Sequence, residues 1–316
     1  VQYRQVHGLD VSEIGFGCSG FWGDRRFSEA KAIRLVHEAF ALGINYFDTG
    51  HNYCNYNAEP RLGKALAELL ASHDRSRMVI STKAGTLRRS FWGPKGSGTD
   101  FSPDYIEAAC AKALSNLGVD YVDIFYLHGI SAELITDALL DRLQRMRERG
   151  MFRLLGINTH SEGVMRHIAT LPGAFDVALI DFNVAQLDRL EAIQMLHRAG
   201  IAVMVGNVLA QGHLISGKIG RLRGAADAYY LLRAIVKSDA RRLARAARHL
   251  RPALAAVNGM TAAQAAMAFA LSVPQISSCI FGTTRLANLT EVAGASSKAL
   301  AGEDCAAIRS AYLARP

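Results

Sequence analysis

Short runs of largely apolar, β-prone residues recur along this chain, separated by longer stretches whose apolar positions follow helical spacing. The runs fall at 13–17, 44–48, 78–83, 121–127, 153–158, 176–182, 201–206 and 277–281. Strands buried on both faces read this way, and their alternation with helical segments predicts a parallel sheet built of repeated βα units. Eight such strands close a barrel, so the expected fold is a (β/α)8 TIM barrel over 1–316 as one domain, with its active-site loops at the carboxyl ends of the strands. Helix starts are also readable. Ser28 is placed to cap a helix over 29–42, Ser102 followed by Pro103 to open one over 103–117, and Ser131 to begin a third running toward Gly150.

Two segments interrupt the rhythm. One, at 88–99 (RRSFWGPKGSGT), is rich in glycine and basic residues and follows the third strand; a longer one covers 208–258 after the seventh. Both leave the rim where the strands end, so both are expected to cover a substrate. Phe21 and Trp22 in the first strand-to-helix loop, with Phe91 and Trp92 in the third, are the candidate pocket aromatics.

Composition narrows the class without naming a chemistry. Half of the 316 residues are hydrophobic and 20% are charged, the balance of a folded enzyme with a sizeable core. No apolar stretch reaches the roughly 20 residues that a bilayer span needs, and the first residues lack a secretory pattern, so a cytoplasmic protein without membrane attachment is expected. The five cysteines are scattered and form no C-x-x-C pair, which argues for reduced thiols over disulfides or zinc; Cys54, beside Tyr53, is a further candidate to line the pocket. A net charge of +8 suits either a nucleic-acid partner or an anionic cofactor. Its densest run, RRLARAARHLR at 241–251, has the spacing of a solvated helix face and no nucleic-acid motif with it, so no nucleic-acid partner is expected. Nothing in the sequence speaks to oligomeric state.

The candidate chemistry sits at three strand ends: Asp48 (GINYFDTG), Lys83 (MVISTK) and His128 (VDIFYLHGI), with Tyr53 just beyond the first. Taken singly each has a structural explanation, as an ion pair, a rim phenol or a satisfied core imidazole. Together they are harder to explain that way, because a barrel has little reason to gather an acid, a cation, a phenol and an imidazole on one face where unpaired charge is costly. Their types suit carbonyl reduction. A tyrosine of ordinary pKa near 10 is a poor proton donor unless a cation stabilises its phenolate. Lys83 would supply that cation, Asp48 would anchor it, and His128 would orient the substrate oxygen. No side chain delivers hydride, so a nicotinamide is implied.

At these residues the chain resembles the aldo-keto reductases. The family's Asp-Thr-Ala, a tyrosine five places after the acid, then an acid and Leu-Gly, is similar to Asp48-Thr49-Gly50, Tyr53, Glu59 and Leu62-Gly63. The run from Leu117 to Asp123 resembles the lead into the family's catalytic histidine. Met151 to Thr159 resembles the stretch ending Gly-Val-Ser-Asn, Leu209-Ala210-Gln211-Gly212 with Ser216-Gly217-Lys218 the Leu-Ala-Gln-Gly and Thr-Gly-Lys turn, and Ile280 to Arg285 the cofactor-phosphate segment. The resemblance implies NADPH, with NADH as the alternative, held by Asn158 and Thr159 at the carboxamide, by Asn207, Leu209 and Gly212 near the pyrophosphate, and by Gly282, Thr283 and Arg285 at the adenosine phosphate. Four positions depart from it. Gly206 stands where an aromatic residue commonly stacks on the nicotinamide, Leu179 where many members have glutamine, and Asn288 and Val292 where many have Arg and Asn near the adenine.

The expected function is therefore NADPH-dependent reduction of an aldehyde or ketone. A cofactor-binding regulatory protein on the same fold, and a lyase or isomerase that keeps the four residues for proton transfer alone, remain open at this stage.

Overall fold

The computed structural model describes residues 1–87, 98–215 and 238–314. Eight parallel strands close a barrel in the order β10-β3-β4-β5-β6-β7-β8-β9. They are β3 (Ile14–Gly17), β4 (Tyr46–Asp48), β5 (Val79–Ala84), β6 (Val122–His128), β7 (Phe152–Asn158), β8 (Val177–Asp181), β9 (Ala202–Gly206) and β10 (Ile276–Phe281). Each coincides with a run expected from the sequence.

Side chains alternate across each strand, and the alternation divides the apolar residues into two cores. One lies inside the barrel and includes Tyr46, Val79, Ile124, Tyr126, Leu154, Leu179 and Met204. The other, larger core lies between sheet and helices and includes Phe16, Phe47, Ile80, Phe125, Leu127 and Ile157. Parity then decides what the rim carries. Asp48, Lys83, His128, Asn158, Asp181 and Gly206 are each an even number of residues beyond an interior side chain of the same strand, so they share its inward face.

Ahead of the barrel, β1 (Tyr3–Val6) and β2 (Leu9–Ser12) form an antiparallel hairpin that the strand pattern did not reveal. Its turn is His7-Gly8, both with positive φ (45° and 82°), the two-residue geometry that matches strand twist. Val6, Leu9 and Val11 press into the interior core, and Asn45, just before β4, accepts from Ser12 N (2.8 Å) and donates to Asp10 O (2.8 Å). The hairpin thus closes the amino-terminal mouth and leaves the opposite rim for function.

The first two helix starts agree with expectation: Glu29–Ala41 is capped by Ser28, and Pro103–Leu117 opens with Pro103 and ends at left-handed Gly118. The third does not. Ser131 heads only a short 3-10 turn (Ala132–Leu134), and the helix Asp137–Glu148 starts at Thr136, whose hydroxyl accepts from Leu139 N (3.3 Å). A cap with acceptor geometry at the right residue outcompetes an earlier serine.

Candidate active site

Asp48 ends β4, Lys83 is the fifth residue of β5 and His128 ends β6, three neighbouring strands, so their side chains converge at one sector of the rim. Lys83 is 1% exposed and Asp48 5%. The ammonium donates to Asp48 Oδ1 and to Thr49 O (2.7 Å). An ammonium has three N–H groups, so one is left after these two bonds. Lys83 Nζ lies 5.2 Å from the centre of the Tyr53 ring, and that ring meets the His128 imidazole edge-on at 5.6 Å between centres. All four residues expected at the site are brought together.

Burial sets the electrostatics. Desolvation pulls the Lys83 ammonium below the usual lysine range, and Asp48 opposes it by charge and by hydrogen bond. His128 is lowered to about 3, first by burial and then by the positive charges of Lys83 and His160, so its imidazole is neutral near pH 7. A neutral imidazole offers one N–H to a substrate oxygen without competing with Lys83 as a cation.

The loop carrying Tyr53 is held under strain. Cys54, Asn55 and Tyr56 all have left-handed backbones (φ 54°, 60° and 60°), a conformation that costs a side-chain-bearing residue roughly 1–2 kcal/mol. Cys54 Sγ contacts Gly20 O at 3.1 Å and Asn57 Nδ2 donates to Gly23 O at 2.8 Å, tying this loop to the first one. Behind it Glu59, 1% exposed, accepts from Thr82 (2.6 Å) and Asn116 (3.0 Å) and faces His51. A side chain at Gly63 would strike the Asn116–Leu117 backbone, so the Leu62-Gly63 pair lets helix Ala58–Leu70 sit close to helix Pro103–Leu117.

The expected pocket aromatics divide. Trp22 does not line a pocket: it is 1% exposed in the outer core, its indole donates to Ala32 O (3.1 Å), and its ring abuts Phe16. The indole N–H found a helix carbonyl, and that fixes the ring between β3 and the first helix. Phe21, also buried, leans on Phe27 with Arg26 over its face. Phe91 and Trp92, and residues 216–237 of the longer segment, lie outside the described residues.

Around the rest of the rim stand the residues expected to hold a cofactor. Asn158 donates to Leu179 O (2.9 Å), which leaves its amide oxygen as an acceptor. Thr159 is 3% exposed and its hydroxyl accepts from Ser161 N (3.1 Å), so it braces the turn into the next helix. Leu179 points into the barrel at 5% exposure. Asn207 (φ 58°) follows β9 and donates to Asp181 Oδ2 (3.4 Å), whose carboxylate also meets His160 (3.4 Å). Leu209 is buried and stands at the start of the 3-10 turn Ala210–Gly212, which Gly212 closes. A side chain on Gly282 would sit 3.0 Å from Gly17 O, and Thr283 accepts from Arg285 N (3.1 Å) at the start of helix Leu286–Ala293.

These residues fit a dinucleotide. The helix start offers N–H groups to phosphate beside exposed Arg285. A Cβ at Gly206 would meet nothing nearer than Asp181 Oδ1 at 3.7 Å, which leaves room at the rim for a flat ring. Asp181 and His160 were not among the residues singled out in the sequence; strand parity with Leu179 was the available signal for the first.

The profile described as Aldo/keto reductase family matches residues 13–313. The chain is 32% identical over 217 residues to L-galactose dehydrogenase of Arabidopsis thaliana, an alignment covering 66% of this chain and 64% of that protein. It is 30% identical over 210 residues to the probable aldo-keto reductase 1 of Glycine max, covering 66% and 58%. The chain therefore spans less than two thirds of the length of these relatives. Among solved structures, the holo form of the aldo-keto reductase AKR11C1 from Bacillus halodurans superposes with a TM-score of 0.74 at 24% identity, covering 98% of this chain and 96% of that one. At that identity the likeness speaks for the fold.

Proposed function

The chain belongs to the aldo/keto reductase family, and from that premise we propose that it is an NAD(P)H-dependent oxidoreductase, cytoplasmic and using NADPH, that reduces an aldehyde or ketone to the alcohol with Tyr53 as proton donor. The observation that carries the reading is the meeting of Tyr53, Lys83 and His128 at one sector of the rim, with Lys83 buried against Asp48. Held by the rim residues described above, NADPH would supply the hydride. The chain supplies the rest. His128, neutral, donates to the carbonyl oxygen and holds it toward the Tyr53 hydroxyl. As charge grows on that oxygen, Tyr53 gives up its proton, and the Lys83 ammonium stabilises the phenolate left behind. Asp48, by its charge and its hydrogen bond, opposes the pull of burial on the Lys83 ammonium.

The test is a titration with NADPH and NADH followed by an aldehyde and ketone panel. Carbonyl-dependent oxidation of bound NADPH, lost in Tyr53→Phe, is expected. Tight nucleotide binding with no carbonyl-dependent oxidation would overturn the reading in favour of a regulatory protein, or of a lyase or isomerase if substrate turned over without net oxidation.

A further inference from the structure

The barrel interior holds three hydroxyls that the reaction above does not use. Ser81 Oγ lies 2.6 Å from Asp48 Oδ1 and 3.2 Å from the Tyr46 hydroxyl, which lies 3.1 Å from that of Tyr126. All three residues are fully buried. Donor arithmetic gives the row a direction. Ser81 Oγ stands in donor geometry to both Asp48 Oδ1 and the Tyr46 hydroxyl but has one proton, which the shorter bond to the carboxylate takes; the Tyr46 contact then closes only with Tyr46 donating, and Tyr46 accepts in turn from Tyr126. Burial, with Asp48 nearby, raises both phenols above the ordinary tyrosine range, so they stay protonated and remain donors. The row ends on the same carboxylate oxygen that receives Lys83.

Space has been cleared for it. Gly15 is paired in register with Tyr46, and a Cβ there would come within 2.7 Å of that ring; Gly156 is paired with Tyr126, and a Cβ there would overlap its ring. Phenylalanine would fill the same volumes without bringing polar atoms that burial penalises. The hydroxyls are what volume alone does not explain.

We propose that Tyr126, Tyr46 and Ser81 form a one-way hydrogen-bond chain that positions Asp48, so that the barrel interior, acting through Lys83, sets the acidity of Tyr53. These are positioning residues, and the proposal rests on the reading of Tyr53 as proton donor. The groups facing the Asp48–Lys83 pair are Tyr53 from the loop after β4, His128 from β6, Cys18 from the end of β3, Glu59 from helix Ala58–Leu70 and Tyr126, whose ring centre is 5.5 Å from Lys83 Nζ. Ser81, at the end of the hydroxyl chain, donates to Asp48 alongside Lys83. Without the chain Asp48 holds the Lys83 ammonium less firmly, the cation beside Tyr53 stabilises its phenolate less, and the Tyr53 pKa rises.

The test labels the full-length protein with 13Cζ-tyrosine and follows Tyr53, assigned by Tyr53→Phe, through a pH titration, alongside the pH profile of carbonyl reduction. Tyr46→Phe, which removes one oxygen and keeps the ring, should raise the Tyr53 midpoint, move the basic limb of kcat upward and lower its plateau about threefold. Ser81→Ala should do more, about tenfold, as expected for losing a hydrogen bond to a charged group. Nucleotide Kd should hold in both. Tyr126→Phe should have a smaller effect alone and none in the Tyr46→Phe background, since it acts only through Tyr46. Should the parent reduce no carbonyl, the proposed function fails while the Tyr53 midpoint still reads the chain. Folded Tyr46→Phe protein with an unmoved or lowered midpoint, or Tyr46 and Tyr126 effects that simply add, would overturn the proposal.

Discussion

Among single residues, the burial of Lys83 and Asp48 separates chemistry from stability. Tyr53→Phe should lower the rate of carbonyl reduction by about 10²–10⁴-fold, the usual contribution of a general acid, with little change in nucleotide Kd; near-parental turnover would remove Tyr53 from the role. Lys83→Met is different, because it strands a carboxylate that is 5% exposed. Removing one partner of a buried pair typically costs about 3–5 kcal/mol. In denaturant unfolding, Lys83→Met should be clearly destabilised, and adding Asp48→Asn should recover much of the loss while activity stays absent. Recovery of activity with stability would make the pair purely structural. His128 contributes a pH dependence of known sign. Its imidazole takes a proton below about 6.5 when unfolded but only below about 3 when folded, so the unfolded chain binds more protons between those values. Stability should fall as pH drops through that window, and His128→Asn should remove this component from unfolding curves compared at pH 7 and pH 4.5.

At the level of elements, the barrel's two ends carry different duties. Asn45 ties the hairpin to the amino-terminal mouth through Ser12 and Asp10, at the opposite end of β4 from Asp48. Asn45→Ala should lower stability by about 1–3 kcal/mol, the cost of orphaning buried polar groups, with kcat and nucleotide Kd unchanged; an equal loss in kcat would show that the plug controls the rim. The eight strands were legible because a parallel strand buried on both faces must be apolar along most of its length. The hairpin was not. YRQV and LDVS mix exposed and buried positions, and their turn is His7-Gly8, so the usual asparagine signal is absent. Likewise Ser131 and Thr136 are equivalent caps by type, and only the helix that forms selects Thr136.

For the molecule as a whole, the question is which nucleotide the rim prefers. Arg285 stands exposed at the start of the Leu286–Ala293 helix and is the only cation from Ile280 to Val292. If it meets a 2′-phosphate, Arg285→Ala should weaken NADPH by on the order of tenfold, leave NADH nearly unchanged, and lose that contrast as salt rises. Equal affinities of the parent for the two nucleotides would refute this role.

The sequence by itself determined the strand count and that Asp48, Lys83 and His128 lie at the ends of three strands, whose carboxyl ends a parallel barrel gathers at one rim. Asn158, Gly206 and Gly282 were singled out in the sequence only through the resemblance to a known family. Tertiary structure alone decided what those positions touch. Trp22 went to the outer core because Ala32 O was within reach of its indole, and Thr159 turned to Ser161. The tyrosines of the interior looked like core aromatics in sequence, since nothing local says that Tyr46, Tyr126 and Ser81 lie within hydrogen-bond distance. Their meeting depends on the stagger between strands in the closed barrel and on glycines of neighbouring strands that make room for the rings, and both are relations between segments distant along the chain.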